Sequence, residues 1–272
     1  MIPPPVLLPP VLLVGGGRMG GALLRGWRER GLAPSCVLDP APEAALLRAP
    51  GVEVAPAVDA IPPGFRPAAV VLAVKPQAAA GALPAVAPFA AGAVALSIMA
   101  GRTLASIAAL LPGVPTVRAM PNTPAAIGQG ITVALAGPGA SEAQRGLCDA
   151  LLAAVGEVAW VEDEALLDAV TAVSGSGPAY VFLLAELLEQ AAVQQGLPPA
   201  LARQLARRTV AGSGALLGAS AEDAAVLRRN VTSPAGTTER ALAVLMADDA
   251  WPAALPRAIA AATARSRELA GN

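Results

Sequence analysis

A run of small polar residues near the end of the chain has the composition of a substrate-binding turn. Residues 230–240 read N-V-T-S-P-A-G-T-T-E-R, in which Pro234 and Gly236 favour a turn and the two threonines after them suit the first turn of a helix. A helix N-terminus offers unpaired backbone N–H groups and the positive end of its dipole, so it can hold a carboxylate without a basic side chain. The alternative is an ordinary turn capped by a hydroxyl, which is a common use of such residues.

Composition restricts the chemistry that this turn can take part in. The chain has no histidine, which excludes Ser-His-Asp catalysis, histidine bases and the common zinc sites, so we expect no metal. Proton transfer must then use a hydroxyl, a carboxylate, the single lysine Lys75 or water. The net charge of -1 without a basic run excludes nucleic acid and anionic membrane surfaces, so the expected partner is a small molecule.

Length and cysteine content indicate a two-domain cytoplasmic protein. The 272 residues, 55% of them hydrophobic, can bury a large core. Cys36 and Cys148 lack C-x-x-C spacing, which fits a reducing cytoplasm better than a disulfide framework. Gly, Pro or Arg interrupts every apolar segment before about 18–20 residues, so we expect no membrane span. The Pro-rich residues 1–10 lack a basic start and are expected to form an extended tail rather than a signal peptide.

The beginning of the chain carries a dinucleotide-binding pattern. The apolar run 11–14 is followed by G-G-G-R-M-G at residues 15–20 and by a helix predicted over 19–30. In such a motif Gly15 permits the tight turn, Gly17 lets a pyrophosphate approach the backbone, and Gly20 lets the helix pack closely on the strand. A second strand ends at Asp39, where an acidic residue typically binds the adenosine ribose.

Asp39 bears on the choice of cofactor. A carboxylate accepts hydrogen bonds from a ribose 2′-hydroxyl but repels a 2′-phosphate, so NADH is expected to be used at least as readily as NADPH. Two alternatives stay open: Asp39 only caps the turn into Pro40, or Arg18 pairs with a 2′-phosphate in spite of it.

Strand and helix patterns alternate to about residue 161 and predict an N-terminal Rossmann-type doubly wound α/β sheet domain over residues 1–162. Loops at the carboxyl ends of its strands should line the ligand crevice. Lys75 and Asn122 lie in two such loops. Lys75 is either a cofactor contact or a surface lysine, and Asn122 either binds a cofactor amide or braces its loop.

Residues 163–272 contain only helical patterns and predict an all-α C-terminal domain. The segment S-G-S-G-P at 174–178 breaks the first helix, and the helix that begins at Ala179 is apolar nearly all round. A domain of about 110 residues cannot cover such a helix alone, so we expect a second subunit to cover it in a homo-oligomer.

Five segments, in order, resemble the pyrroline-5-carboxylate reductase family: V-G-G-G-R-M, A-V-K-P-Q, M-P-N-T-P, S-G-S-G-P-A-Y and V-T-S-P-A-G-T-T, beginning at residues 14, 73, 120, 174 and 231. The last two are specific to the family, whereas the first is shared by many dehydrogenases. The resemblance implies a helical domain that interlocks two subunits as a homodimer, within a larger ring such as a decamer. The implied reaction is NADPH- or NADH-dependent reduction of 1-pyrroline-5-carboxylate to L-proline, the last step of proline biosynthesis.

The same resemblance implies the site residues. It implies cofactor contacts at Gly15, Gly17, Arg18, Met19, Gly20, Ala73, Val74, Lys75, Pro76, Met99, Ala100 and Gly101. Their positions at strand ends add Asp39 and Asn122 to the expected cofactor contacts. The substrate would lie against Ser233, Gly236, Thr237 and Thr238, with Glu164 and Ser176 nearby, reaching from the partner subunit. Thr238 is expected to hydrogen-bond the ring nitrogen, and backbone N–H groups at 236–238 to hold the substrate carboxylate.

The chain departs from the family pattern at three positions. Arg18 stands where Asn or Gln is usual, and Ala224 stands where Pro usually follows the acidic pair at 222–223, so Glu222 is assigned no role. Ala235 replaces the first Gly of S-P-G-G-T, which is tolerable only if that position does not need a positive φ.

Two rival functions remain to be compared. A β-hydroxyacid dehydrogenase or imine reductase of similar architecture commonly has a catalytic Lys in G-S-G-x-x-x-K, where this chain has Val181. A non-catalytic NAD(P)-sensing protein would need only the first half of the chain.

Overall fold

The computed structural model describes residues 7–270 and contains one eight-stranded sheet. The strands are β1 Val11–Val14, β2 Ser35–Leu38, β3 Val52–Ala55, β4 Ala69–Leu72, β5 Val94–Ser97, β6 Thr116–Met120, β7 Gly130–Ala136 and β8 Gly156–Trp160. The helices are α1 Arg18–Glu29, α2 Ala79–Ala90, α3 Leu104–Leu110, α4 Glu142–Ala153, α5 Leu166–Val170, α6 Gly177–Gln194, α7 Pro199–Ala219, α8 Ala224–Asn230, α9 Thr237–Leu245 and α10 Trp251–Ala270.

The sheet is doubly wound, which confirms the predicted fold class. Its strand order is β3-β2-β1-β4-β5-β6-β7-β8, and β1 to β6 are parallel. Successive residues of a strand point to opposite faces, so Leu13 joins a core cluster with Trp27 of α1 while Leu12 joins another with Leu83 of α2. The strand order reverses between β1 and β4, which is where open sheets of this kind bind their ligands.

One strand runs against its neighbour. β7 is antiparallel to β6, and β8 is parallel to β7. Only residues 121–129 join β6 to β7, and they hold the short 3-10 helix Thr123–Ile127. A parallel crossover requires a dozen or more residues, so a connection this short returns the chain antiparallel. A capping box formed by Ser141 and Gln144 starts α4.

The second half of the described chain is helical, as predicted. The expected break at 174–178 is a π-turn over Thr171–Gly175 followed by a bend at Ser176. A side chain on Gly175 would place its Cβ 2.6 Å from Cε of Met120, so the π-turn lies directly on the end of β6. π-turns inside helical segments occur frequently at functional sites.

Contacts divide the chain into two compact units. The first comprises the described residues up to Gly175 together with those from Thr263 on, and the second comprises Ser176–Ala262. The division lies later than the boundary predicted after residue 162, because α5 belongs to the sheet by packing: Leu167 is buried against Val133 and Leu135 of β7.

Helix α6 has no buried residue in the single chain. Val181, Phe182, Leu183 and Leu187 are each about half exposed or more, with Phe182 at 67%. By length and composition, residues 166–194 could also cross a membrane, and only 11% of their most apolar window is buried. Residues 7–270 therefore leave the apolar face of α6 uncovered, in agreement with the expectation that a second subunit covers it.

Candidate active site

The turn after β1 has the geometry of a phosphate-binding loop. Gly15 has φ +101, and a Cβ there would lie 2.7 Å from the carbonyl oxygen of Ala73. A Cβ on Gly20 would collide with the carbonyl oxygen of Gly15, so α1 packs against the turn as closely as two backbones allow. By contrast, a Cβ on Gly17 would meet nothing within 4 Å. The turn is thus closed at Gly15 and Gly20 and open at Gly17, where a pyrophosphate would approach.

The N-terminus of α1 is free to bind an anion. Gly17 is its N-cap, no side chain caps it, and its first turn has no acidic residue. Among the described residues, the first N–H groups of the helix therefore have no side-chain acceptor at its positive dipole end. Arg18, the first helical residue, is exposed beside them, and Met19 is half-buried. These features fit the pyrophosphate of a dinucleotide.

Asp39 connects the end of β2 to this turn. Its Oδ2 accepts a hydrogen bond from the N–H of Gly16 at 2.6 Å, and its Oδ1 accepts one from the N–H of Ala41 at 2.9 Å. The turn-capping role of Asp39 is therefore present. It does not exclude the ribose contact, since an ionised carboxylate has about four acceptor sites and two are used here.

The loops after β4 and β5 are tied to each other. The guanidinium of Arg102 donates from Nε and Nη2 to the carbonyl oxygen of Pro76, at 3.2 and 2.8 Å. Neighbouring Lys75 is exposed, whereas Met99 is buried at 2% exposure. Arg102 was not singled out in the sequence, because nothing in its spacing indicates a partner 26 residues earlier.

Asn122 braces its own loop. Its Oδ1 accepts a hydrogen bond from the N–H of Ile131 at 3.0 Å, which joins the loop after β6 to the start of β7. The bracing hydrogen bond is thus present, and the amide nitrogen of the same side chain is a further donor group.

Glu164 holds two segments of the sheet unit together. Its Oε1 accepts from Nη1 of Arg118 and from the N–H of Leu104, both at 2.8 Å. The Arg118 side chain is 6% exposed and that of Glu164 is 31% exposed. Arg118 lies in β6 and Leu104 begins α3, so this carboxylate has a structural task besides the substrate contact that the resemblance implies. The sequence did not indicate a role for Arg118, because an arginine inside an apolar strand gives no sign of which distant residue it will pair with.

In the second unit, α9 begins at Thr237 with Gly236 as its N-cap, and no side chain caps it. The ordinary hydroxyl-capped turn, the alternative weighed for this stretch, is therefore not what forms. The N–H of Gly236 donates to the carbonyl oxygen of Ser233 at 3.0 Å, and the first helical bond runs from Arg240 back to Gly236. The N–H groups of Thr237 and Thr238 therefore lie ahead of the helical ladder, where a substrate carboxylate would bind.

Ala235 adopts a conformation that disfavours alanine. It has φ +57 and is the one residue other than glycine with a positive φ in the part of the chain that is described. The condition for tolerating alanine at this place in the motif is thus not met. The turn is held instead by Glu239, whose Oε2 accepts from the N–H of Ala235 at 2.6 Å. Strain held by such a bond is typical of functional turns.

Replacing Ala235 by Gly should stabilise the protein by about 0.5–1 kcal/mol, because the left-handed conformation costs an alanine about 1–2 kcal/mol and glycine loses part of that gain in chain entropy. Urea unfolding at a fixed protein concentration measures the effect. Ala241→Gly is the matched control. Because Ala241 lies within α9, this change should lower the free energy of unfolding by about 1 kcal/mol. Equal signs for the two variants would contradict the strain at Ala235.

Two serines of the motif at 174–178 have different surroundings. Ser176 is the N-cap residue of α6 and makes no capping bond. The hydroxyl of Ser174 is buried without a hydrogen-bond partner among the described residues. Nothing in the sequence of the motif sets Ser174 apart from its neighbours. Elsewhere in the second unit, Glu222 accepts from the side-chain amide of Asn230 at 3.4 Å.

The two cysteines take no part in these arrangements. Cys36 and Cys148 are free and buried. Burial raises the pKa of Cys36 to about 11 and that of Cys148 to about 12, so both thiols are neutral near pH 7. Across residues 7–270, no three His, Cys, Asp or Glu side chains are grouped as metal ligands.

Comparison with known proteins identifies the family. A domain model described as pyrroline-5-carboxylate reductase dimerisation matches residues 164–269, and one described as NADP oxidoreductase, coenzyme F420-dependent, matches residues 10–101. A pyrroline-5-carboxylate reductase of Pseudomonas aeruginosa is 44% identical over 203 residues, which are 74% of each chain. This chain belongs to the pyrroline-5-carboxylate reductase family.

Solved structures of reductases extend the similarity to the full length. A pyrroline-5-carboxylate reductase from Coxiella burnetii has a TM-score of 0.86 at 31% identity and covers 95% of this chain and 97% of its own. A pyrroline carboxylate reductase from Plasmodium falciparum, solved with NADP bound, has a TM-score of 0.82 at 24% identity, with 98% and 99% covered. At 24% identity, the similarity to the Plasmodium falciparum structure shows only that the two proteins share a fold.

The site residues expected for this reductase family fall into two groups. The sheet unit gathers the glycine turn, Asp39, the loops after β4 and β5, Asn122 and Glu164. The helical unit holds Ser233, Gly236, Thr237 and Thr238 in one turn, with Ser176 at the start of α6.

Proposed function

We propose that this chain catalyses the NADH- or NADPH-dependent reduction of 1-pyrroline-5-carboxylate to L-proline, the last step of proline biosynthesis. The proposal rests chiefly on the N-terminus of α9, where Gly236 caps the helix without a side chain. The N–H groups of Thr237 and Thr238 precede the first helical bond and, with the two hydroxyls, would bind a small anionic substrate. Membership of the reductase family supports an oxidoreductase acting on a C=N bond with a nicotinamide cofactor.

Each part of the site would have a separate task. When bound, the reduced nicotinamide supplies the hydride for the imine carbon. The N–H groups of Thr237 and Thr238 hold the substrate carboxylate, and the positive end of the α9 dipole favours it there. The Thr238 hydroxyl hydrogen-bonds the ring nitrogen and keeps the C=N bond oriented for reduction. No histidine is needed, because the imine can bind already protonated or take its proton through a hydroxyl and water.

The exposed face of α6 supports assembly with a second copy. A family model named for dimerisation matches this part of the chain, and α6 leaves Val181, Phe182, Leu183 and Leu187 uncovered. Burying such side chains stabilises an interface by about 25 cal/mol per Å² of apolar area. A homodimer that covers α6 also accounts for its apolar character without a membrane. A cytoplasmic location and a larger ring such as a decamer belong to the same proposal.

For the cofactor, we propose NADH use at least equal to NADPH use. The carboxylate of Asp39, directly after β2, would repel the 2′-phosphate of NADPH but can accept a hydrogen bond from the ribose 2′-hydroxyl of NADH. We expect kcat/KM to be at least as high with NADH as with NADPH. Asp39→Ser should lower the value for NADH about tenfold, since two backbone bonds and the ribose contact are lost, and should shift the ratio towards NADPH.

Glu43→Ser is the control for this change. It removes the same charge from an exposed position on the short helix after β2, without touching the glycine turn. It should alter the NADH to NADPH ratio by less than about twofold, because a solvent-exposed charge is screened. A strong preference of the unchanged protein for NADPH would end the proposal on cofactor choice.

One assay tests the function directly. Oxidation of NADH or NADPH is followed with pyrroline-5-carboxylate, and the formation of proline is measured beside it in equal amount. A β-hydroxyacid with the oxidised cofactor should give no turnover, since Val181 stands where such dehydrogenases place lysine. Turnover of the hydroxyacid, or cofactor binding without any proline formed, would refute the reductase function in favour of the two rivals.

A further inference from the structure

The last two turns of α10 contact the loop after β5. Residues 263–270 belong by their contacts to the sheet unit, although α10 begins in the helical one. Gly101 is buried and has φ +68, and a Cβ there would lie 3.1 Å from Cβ of Leu269 and 3.4 Å from its carbonyl oxygen. The helix therefore lies directly on the backbone of the loop, and a side chain at Gly101 would both crowd Leu269 and strain the left-handed backbone.

A buried hydrogen bond anchors the same turns. Ser266 is 5% exposed, and its hydroxyl donates to Oδ1 of Asp168 at 2.7 Å. Nε of Arg267 lies 3.9 Å from Oδ2 of the same carboxylate. Asp168 is in α5, next to Leu167, which is fully buried against β7. The end of α10 is thus fixed to a rigid part of the sheet unit.

These contacts continue to a second loop. Arg102 follows Gly101 and donates two hydrogen bonds to the carbonyl oxygen of Pro76, in the loop after β4. Both loops lie at the carboxyl ends of neighbouring parallel strands, where a doubly wound sheet binds its ligand. A continuous path of contacts therefore leads from Ser266 through Leu269 and Gly101 to Pro76.

We propose that residues 263–270 form a C-terminal brace that holds the loops after β4 and β5 ready for the cofactor, with Ser266 as a positioning residue. The inference rests on the proposed function in so far as these loops bind the dinucleotide. A loop held in its bound conformation loses less entropy on binding, so the brace increases cofactor affinity without touching the cofactor. Losing the brace therefore weakens cofactor binding more than substrate turnover.

The test compares Ser266→Ala with Ser266→Thr and Arg265→Ala. Ser266→Ala leaves Asp168 without its hydroxyl donor, whereas Ser266→Thr keeps it. Arg265→Ala removes only an exposed ion pair with Glu268 in the same turn. Hydrogen exchange of the peptide covering residues 97–107 is measured without ligand, and the Kd for NADH is measured without substrate. Leu269→Gly, which removes the Cβ over Gly101 but keeps the Ser266 bond, serves as a second variant.

In Ser266→Ala, exchange over residues 97–107 should quicken about tenfold and the Kd for NADH should rise by a similar factor. The KM for NADH should follow, while kcat and the KM for pyrroline-5-carboxylate change less than twofold. Ser266→Thr should restore most of the loss, Arg265→Ala should resemble the unchanged protein, and Leu269→Gly should loosen the loop to a lesser degree.

Unchanged exchange and Kd in both Ser266→Ala and Leu269→Gly overturn the proposal, as does an equal change in Arg265→Ala. A uniform loss in both KM values and kcat also overturns it, because that result indicates general destabilisation. If pyrroline-5-carboxylate is not reduced, yet the loop still loosens and NADH binding still weakens in Ser266→Ala, the proposed function fails and the brace stands.

Discussion

Replacing Glu164 by Ala is expected to lower the free energy of unfolding by about 3 kcal/mol, since it leaves the buried guanidinium of Arg118 without its partner. The same change removes the acceptor for the N–H of Leu104 at the start of α3. Both losses fall on the sheet unit. Chemical denaturation at constant protein concentration measures the effect, and the midpoint should fall with an unchanged slope.

Two further variants separate charge from hydrogen bonding at this position. Glu164→Gln keeps an oxygen acceptor for both donors and should lose about 1 kcal/mol. Adding Arg118→Met to Glu164→Ala removes the stranded charge and should recover part of the stability of the single variant. If Glu164→Ala is as stable as the unchanged protein, the carboxylate does not stabilise the sheet unit. A fall in kcat/KM without loss of stability would instead favour the substrate contact.

Thr238→Ala should reduce kcat/KM for pyrroline-5-carboxylate by an amount equivalent to about 1–3 kcal/mol, or roughly fivefold to 150-fold. The reason is that the proposed hydrogen bond to the ring nitrogen would be lost, and such a bond would be strongest in the transition state, where the nitrogen changes its charge and geometry. Cofactor affinity should stay the same, because Thr238 lies in the substrate turn. Steady-state kinetics with varied substrate and a direct measurement of NADH binding give both values.

The neighbouring residue provides the matched control. Thr238→Ser retains a hydroxyl and should keep most of the activity, whereas Thr237→Ala removes a hydroxyl one position earlier and should cost less than Thr238→Ala. The N–H groups of both residues remain in all three variants, so the carboxylate site is preserved. An unchanged kcat/KM in Thr238→Ala would remove Thr238 from the mechanism.

Local patterns predicted most of the architecture. The apolar run 11–14 and the alternation of strand and helix patterns to about residue 161 predicted the sheet, because such signals depend on near neighbours in sequence. The antiparallel β7 was not anticipated, although the short link from Met120 to Gly130 carried the information. The π-turn over Thr171–Gly175 was read as a simple break, since its conformation depends on packing against Met120.

The candidate site was predictable only where a residue acts through its own backbone or chain position. Gly15 and Gly20 were identified from spacing, because their task is steric and local. Arg118 and Arg102 were missed, since each is defined by a partner distant in sequence. The backbone conformation of Ala235 could not be predicted, because the sequence of this turn is compatible with either a negative or a positive φ at that residue.

The bare apolar face of α6 has a kinetic consequence. If a second copy covers it as proposed, the helical half reaches its final packing only when two chains meet, so the last phase of refolding should be second order in protein. The sheet half, whose clusters are complete within one chain, should form first and at a rate independent of dilution. At low protein concentration, chains would then accumulate in which the sheet half is folded and the helical half is not yet fully packed.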